Sequence, residues 1–363
     1  MIARRVVVKL GSGVLSAGKD RLDPAVIRRL AGEIAASWGK DFEMIVVSSG
    51  AILAGREKLG LKVRPATIQL KQAAAAVGQS RLMRAWEEGF GRRRRTVAQV
   101  LLTRDDLRHR NRYLNARNTI FALLRLGAVP IINENDTVAD EEIKFGDNDV
   151  LSALVAGLCD AQLLVLLTDQ DGLYTADPRL DPQARLIPTV GEGHAQARLG
   201  RAGPSGSGGM ESKVRAARMA ASAGIEGVIA NGFTPGNLAR ILAGEPVGTR
   251  FLPRTAPMGK RQAWLAFASH PKGAIHVDAG ARQALVGAGK SLLPSGVKSV
   301  AKTFAAGDVV SLVEGGVEFA RGLCNYGSED LQRIKGLKTS QIEQVLGQKP
   351  ADEIVHRDNM AVL

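Results

Sequence analysis

The hexapeptide Leu163-Leu164-Val165-Leu166-Leu167-Thr168 decides the fold of this chain. An unbroken apolar run that ends in a polar residue is typical of a strand buried on both faces of a parallel sheet. The same character recurs at residues 6–9, 44–48, 97–102, 128–133 and 227–230. Helical patterns separate these runs, at residues 24–38, 65–88, 113–126, 149–157 and 211–223. Strands that alternate with helices predict an α/β sandwich.

Length and composition place the chain among soluble globular proteins. It has 363 residues, of which 45% are hydrophobic and 23% charged, and this length favours two or three domains. No run of about 18 apolar residues occurs, and the first residues lead directly into a strand pattern without a signal peptide. We therefore expect a cytoplasmic protein without a membrane span. Cys159 and Cys324 lie far apart, and we expect both to be free buried thiols.

A second domain is predicted at the C-terminal end. Prolines and glycines cluster between residues 246 and 261, as is typical of an interdomain connection. Short strand patterns follow at residues 274–277, 297–300, 309–313 and 318–323, with a helix near 328–334. We predict a first domain at 1–255, a linker at 256–272 and a small β-rich domain at 273–363.

The net charge of +13 raises the question of a nucleic-acid partner. Residues from 270 onward carry 11 Lys and Arg against 10 Asp and Glu, so the basic excess lies in the first domain. The run Arg92-Arg93-Arg94-Arg95 precedes a strand pattern, and a solvated turn is its simplest interpretation. We expect no nucleic-acid partner.

A phosphate site is indicated by Ser205-Gly206-Ser207-Gly208-Gly209-Met210-Glu211-Ser212-Lys213, which opens a helical pattern. Glycines let backbone N–H groups approach an anion, and a helix N-terminus adds partial positive charge. The segment is not a Walker A loop, and many glycine-rich loops are only flexible connectors. Lys9 ends the first strand pattern before Gly11, so two lysines could neutralise a transferring phosphoryl group.

Polar clusters follow the other strand patterns. Residues 48–51 read SSGA, 133–136 read NEND, 146–149 read GDND and 168–172 read TDQDG. Each could be a simple turn, and Asp147 or Asn148 could be an ordinary helix cap. Because ligands of such sheets bind beyond the carboxyl ends of the strands, the clusters together indicate a site for a small zwitterion. We predict no direct metal ligands, with magnesium held by the nucleotide phosphates.

In their order and spacing these motifs resemble the amino acid kinase family, specifically its glutamate-phosphorylating members. The matching segments are VVKLGS at 7–12, SSGA at 48–51, INEND at 132–136, GDND at 146–149, LTDQDGLY at 167–174 and GSGGMESK at 206–213. Segments 277–281, 291–296 and 304–308 are similar to the PUA domain that many members append. The resemblance implies an αβα sandwich with a mainly parallel central sheet, followed by a β-rich PUA domain.

The resemblance also implies the activity and its site residues. The reaction would be ATP-dependent phosphorylation of the γ-carboxylate of L-glutamate, the first step of proline synthesis, with Mg²⁺ on the nucleotide. Proline would be a feedback inhibitor and the protein a homo-oligomer, a tetramer. In this assignment Lys9, Lys213 and Asp149 are catalytic; Ser49, Asp136, Asp147 and Asn148 bind glutamate; and Lys9, Gly11, Thr168, Asp169, Ser207, Gly208, Gly209, Met210, Glu211, Ser212 and Lys213 bind ATP.

The loop departs from the family pattern in one respect, and two alternatives to the assigned function stay open. Serine stands at positions 207 and 212, where threonine is common in the family, and its hydroxyl preserves the chemistry. A kinase of the same fold could instead act on aspartate, acetylglutamate, carbamate or a nucleotide. An RNA-binding function of the PUA domain is the alternative from another class, and the near-neutral tail with few aromatic residues gives it little support.

Overall fold

The computed structural model describes residues 3–39, 41–63, 65–139, 148–191, 209–255, 259, 262, 265, 266, 269 and 271–363. The chain divides into two compact units, Met1–Pro257 and Met258–Leu363. Each unit has its own hydrophobic core. The domain limits and the linker predicted above, 1–255, 256–272 and 273–363, stay predictions.

The first unit is built on a sheet of eight described strands in the order β3-β4-β2-β1-β5-β7-β8-β6. They are β1 (Arg4–Leu10), β2 (Phe42–Ser48), β3 (Val97–Leu102), β4 (Val129–Glu134), β5 (Leu163–Thr168), β6 (Thr189–Val190), β7 (Glu226–Asn231) and β8 (Thr249–Phe251). All neighbours from β3 to β7 are parallel, whereas β8 runs antiparallel to β7. The predicted mainly parallel sheet is confirmed.

Helices cover both faces of this sheet. Those described are α1 (Ser12–Leu15), α2 (Pro24–Ser37), α3 (Ala51–Lys58), α4 (Ile68–Gly91), α5 (Arg104–Arg108), α6 (Arg110–Arg125), α7 (Asn148–Leu158), α8 (Met210–Ser222) and α9 (Asn237–Leu242). Side chains alternate between the faces of a strand. Val8 and Leu10 therefore share a core with Ile27 of α2 and Trp86 of α4, while Lys9 faces the opposite layer, where α7 lies against β1.

The predicted strands and helices agree with the observed ones to within three residues at each end. The Asp23 side chain caps α2 by accepting hydrogen bonds from the N–H groups of Ala25 and Val26, and Pro24 starts the helix. Arg92, Arg93 and Arg94 are exposed in a turn, as expected.

A close crossing of α3 and α4 fixes the region that follows β2. A Cβ atom at Gly55 of α3 would stand 1.7 Å from the carbonyl oxygen of Ala74, and one at Gly78 of α4 would stand 1.8 Å from that of Ala51. No side chain fits at either position, so glycine brings the two backbones into direct contact. Gly50 joins β2 to α3 with a φ of 112°.

The second unit contains a mixed sheet in the order β10-β9-β11-β12-β13. Its strands are β9 (Gly273–Val277), β10 (Val297–Ala301), β11 (Val309–Glu314), β12 (Val317–Leu323) and β13 (Met360–Val362), and its helices include α10 (Ala279–Ala288), α11 (Ser328–Ile334) and α12 (Ile342–Leu346). Ile275, Leu312 and Ile334 are fully buried in its core. This confirms the predicted small β-rich unit.

Both cysteines are buried and neither forms a disulfide bond within the described residues, as the sequence predicts. Burial raises the pKa of the Cys324 thiol to about 11. The thiol is therefore protonated and unreactive at neutral pH. Among the described helices, none has both the length and the apolar composition required to cross a bilayer.

Candidate active site

One edge of the central sheet carries a set of polar side chains, each in the last two residues of one of the parallel neighbours β1, β2, β4 and β5: Lys9, Ser48, Asn133 and Thr168. In the strand register Lys9 stands opposite Val47 of β2 and Leu166 of β5. The polar clusters that the sequence placed after separate strands therefore meet at the carboxyl edge of the sheet, where such folds bind ligands.

A buried carboxylate holds two lysines at this edge. Asp149, in the first turn of α7, is fully buried. One of its oxygens forms an ion pair with Nζ of Lys9, and the other lies 3.3 Å from Nζ of Lys213. Both lysines are themselves nearly fully buried. Such a cluster is stable only when each charge is paired, so Asp149 fixes both ammonium groups at one point.

The start of α8 adds hydrogen-bond donors beside the lysines. Gly209 is its N-cap, and Met210, Glu211 and Ser212 form its first turn before Lys213. The Ser212 hydroxyl lies 2.7 Å from a carboxylate oxygen of Asp149 and 2.8 Å from the carbonyl oxygen of Gly209. The N–H groups of a first helical turn have no partners within the helix and attract anions. Two lysines and this helix end together suit a polyphosphate.

Gly11 lies close to the end of the Lys9 side chain. A Cβ atom placed on Gly11 would stand 3.6 Å from Nζ of Lys9. The lysine side chain therefore folds back towards the backbone that follows β1. The role of Gly11 in ATP binding stays a prediction.

A group of amides and hydroxyls lies beside Asp149. The side-chain amide nitrogen of Asn148 is 2.9 Å from the Ser49 hydroxyl and 2.8 Å from Oδ1 of Asn133. It also lies 3.3 Å from the carbonyl oxygen of Ser48. Two of the predicted glutamate ligands, Ser49 and Asn148, are thus in direct contact. Asp136 is half-buried in the turn that follows β4, three residues beyond Asn133.

The ends of β5 and β7 form another part of the edge. The Thr168 hydroxyl donates to Oδ1 of Asp169 at 3.0 Å, and Thr168 is buried whereas Asp169 is exposed. Asn231 donates to Asp171 at 2.8 Å. Burial, together with the nearby charge of Asp171, raises the pKa of Tyr174, so its hydroxyl stays protonated and donates to Asp171.

Three predicted site residues, Asp147, Ser207 and Gly208, lie outside the described residues. Asn133 and Gln79 are not among the site residues that the sequence predicts. Asn133 donates to Oε1 of Gln79 at 2.9 Å. Gln79 is a polar residue in an alanine-rich helix, and 54 residues separate it from Asn133.

The described side chains around Asp149 do not form a metal centre by themselves. Within the described part of the chain, no group of three His, Cys, Asp or Glu side chains is arranged to hold a metal ion. Both Asp149 oxygens face lysines instead. A divalent ion bound here would take most of its oxygen ligands from phosphates and water, which is the usual mode for Mg²⁺.

Sequence comparisons match both units to known families. A sequence model of the amino acid kinase family matches residues 4–231. The chain belongs to the amino acid kinase family. A model of the PUA domain matches residues 273–346, which confirms the resemblance seen in the sequence. As a member of this family, the chain is a kinase.

Curated relatives of this family cover the whole chain. The glutamate 5-kinase of Geobacter sp. (strain M21) is 49% identical over 99% of this chain and 98% of its own. That of Gloeobacter violaceus is 52% identical over 99% of each chain. Among solved structures, an isopentenyl phosphate kinase in complex with substrate covers 68% of this chain and 99% of its own, with 19% identity and a TM-score of 0.51. This last match supports the kinase fold alone.

Proposed function

We propose that this chain transfers the γ-phosphoryl group of ATP to the γ-carboxylate of L-glutamate, which forms ADP and L-glutamyl 5-phosphate in the first step of proline biosynthesis. The observation that carries the proposal is Asp149, whose two oxygens hold Lys9 and Lys213 beside the amide group of Asn148 and Ser49. The full-length similarity to glutamate 5-kinases supports glutamate as the acceptor.

The reaction requires no general base. A γ-carboxyl group has a reference pKa of about 4.3, so it is already ionised at neutral pH. One of its oxygens forms a bond to the γ-phosphorus, the bond to the β,γ-bridging oxygen breaks, and ADP leaves with that electron pair. The main obstacle is repulsion between two anions. Lys9, Lys213 and the first turn of α8 oppose this repulsion with positive charge that needs no rearrangement.

The nucleotide would lie between the strand ends and α8. Lys9, Gly11, Gly209 and Lys213 would contact its phosphates, and Thr168 and Asp169 would line its site, with Ser207 and Gly208 contributing from outside the described residues. Mg²⁺ bound to the phosphates would neutralise part of their charge.

Glutamate would be held by its amino-acid end. Ser49 and Asn148 present a hydroxyl and an amide, and Asp136 and Asp147 would supply carboxylates for the ammonium group. The γ-carboxylate would then point towards the lysines. We further propose proline as a feedback inhibitor, a tetrameric assembly and a cytoplasmic location, all from the similarity to the family.

Trapping of the acyl phosphate with hydroxylamine tests the function. The full chain is incubated with ATP, Mg²⁺ and, separately, glutamate, aspartate, N-acetylglutamate or carbamate. We expect a hydroxamate with glutamate, whose carboxylate is positioned by its amino-acid end, and at most a few per cent as much with the other acids. Lys213→Met is the matched control, because it removes one phosphate-facing charge and should abolish the signal. A hydroxamate with another acid but not with glutamate would reject the proposed substrate.

A further inference from the structure

We infer that Gln79 is a positioning residue for substrate binding, which acts through Asn133 to set the orientation of the Asn148 amide. This inference rests on the proposed function, because it assumes that Asn148 contacts the amino-acid substrate. Gln79 lies on α4 and is separated from Asn148 by the Asn133 side chain, so it is not itself a ligand.

Two hydrogen bonds connect the three amides in a fixed direction. The Asn148 amide nitrogen donates to Oδ1 of Asn133 at 2.8 Å, and the Asn133 amide nitrogen donates to Oε1 of Gln79 at 2.9 Å. Asn133 is almost completely buried at the end of β4. An amide has a donor end and an acceptor end. Because Gln79 accepts from Asn133, the acceptor end of Asn133 faces Asn148.

The direction of these two hydrogen bonds decides which end of the Asn148 amide is left for a ligand. The Asn148 nitrogen is occupied by Asn133 and Ser49. Its oxygen is buried and has no hydrogen-bond partner among the residues that the structure describes. An unpaired buried acceptor is costly unless a donor arrives. The ammonium group of an amino acid is such a donor. The two hydrogen bonds therefore orient the Asn148 oxygen to accept a hydrogen bond from the substrate.

Gln79 is held in place by the helix crossing described above. Its neighbour Gly78 contacts the backbone of Ala51, and Ala51 starts α3 two residues after Ser49. The contact that places Gln79 under Asn133 therefore also places the substrate-facing Ser49. One rigid contact, between α3 and α4, therefore positions both Gln79 and Ser49.

A role in stability alone fits Gln79 less well. Its Nε2 atom is buried and has no hydrogen-bond partner within the described residues. An amide that is half unpaired in a buried site is less stable than an apolar side chain of the same shape. Among the described residues, only the acceptor end of Gln79 has a partner, and that end orients Asn133.

A double-mutant cycle between Gln79 and Asn148 tests the inference. Gln79→Met keeps the shape of the side chain but removes the acceptor. In the wild-type background we expect the glutamate KM to rise about five- to tenfold, as for a lost hydrogen bond, while the ATP KM changes less than about twofold. In an Asn148→Ala background the same change should raise the glutamate KM less than about twofold, because the amide that Gln79 orients is gone.

Controls separate this role from a structural one. Gln79→Glu keeps an acceptor and should raise the glutamate KM less than Gln79→Met does. Gln69→Met makes the same substitution at an exposed position of α4 and should leave the kinetics unchanged. Gln79→Ala replaces Gln79→Met in the cycle if the latter does not fold.

Three outcomes would overturn the inference: an unchanged glutamate KM in Gln79→Met, equal effects in both backgrounds, or a Gln79→Glu variant as impaired as Gln79→Met. Each is read against the wild-type chain, which must form hydroxamate from glutamate. If the wild-type chain forms none, the proposed function fails; if it does and the cycle shows no coupling, only the role of Gln79 fails.

Discussion

In the proposed site, one residue, Asp149, positions both lysines that would bind phosphate. Lys9 lies on β1 and Lys213 on α8, and the two share a carboxylate at the start of α7. Without that carboxylate, two buried ammonium groups would repel each other. The charge that makes the site attract ATP is therefore also a charge that destabilises the fold unless Asp149 balances it.

We predict that Asp149→Asn lowers both stability and turnover. The change leaves two buried lysines without their counter-charge, which should cost about 3–5 kcal/mol of unfolding free energy. It should also lower kcat about 100-fold, because the ammonium groups are no longer aimed at the phosphates. Thermal unfolding and steady-state kinetics at low temperature measure the two effects. Unchanged kcat in a folded variant would remove Asp149 from the proposed mechanism.

In the second unit, the partly buried Glu318 carboxylate is held by Arg321 and Ser311. Burial raises its pKa, but bidentate hydrogen bonds from Arg321 and one from Ser311 outweigh this effect, so its pKa lies below the ordinary value of 4.5. A carboxylate with a lowered folded-state pKa stabilises the fold above its unfolded-state pKa. That contribution is lost as the pH falls through the folded-state pKa.

We therefore predict that Glu318→Gln costs about 1 kcal/mol at pH 7 and that the difference from the wild type shrinks as the pH falls below 4.5. Thermal unfolding of both chains between pH 3 and 7 measures it. Glu343→Gln, at an exposed position of the same unit, is the matched control. A difference that grows on acidification would contradict the assignment.

The residues that the sequence could predict are those next to strand ends. Lys9, Ser49 and Thr168 follow or end apolar runs, so their place at one sheet edge follows from the strand pattern alone. Gln79 could not be found in this way. It lies in the middle of a helix, and its role depends on the side chain of Asn133, which only the packing of α4 brings near.

At the scale of elements, the crossing of α3 and α4 is the contact on which the amino-acid end of the site depends. The sequence predicted α4, but the eight residues of α3 carried too few apolar positions for a periodic signal. The short strands β6 and β8 were not predicted for the same reason, because two or three residues show no periodic pattern. Long apolar strands and capped helices were predictable, whereas short elements are set by tertiary contacts.

We predict that Gly78→Ala destabilises the first unit by about 1–3 kcal/mol or more and raises the glutamate KM. A methyl group there would stand 1.8 Å from the Ala51 carbonyl oxygen, so α3 and Ser49 must shift. Gly32→Ala is the control, since Gly32 lies on α2 and nothing is within 4 Å of its added Cβ. Alanine is the better helix former, so this variant should be as stable as the wild type or more so. Equal stability of the two variants would contradict the role of the crossing.

At the scale of the whole molecule, the side chains assigned here to catalysis and substrate binding come from the first unit, Met1–Pro257. The basic excess of the chain lies in the same part of the sequence, and Lys9 and Lys213 belong to it. The glycine-rich sequence at 205–213 indicates a phosphate site. The structure describes its last residues, Gly209 to Lys213, and shows that Asp149 holds Lys213.

The identity of the acceptor is tested by a comparison of two acids. The ATP-dependent kcat/KM of the full chain is measured for glutamate and for aspartate. If Ser49 and Asn148 hold the amino-acid end as proposed, only the longer side chain would bring its carboxylate to the lysines. We predict that kcat/KM for glutamate exceeds that for aspartate at least about 100-fold, since misplacement of the reacting carboxylate by one methylene is costly. Equal values for the two acids, or turnover of neither, would contradict the account.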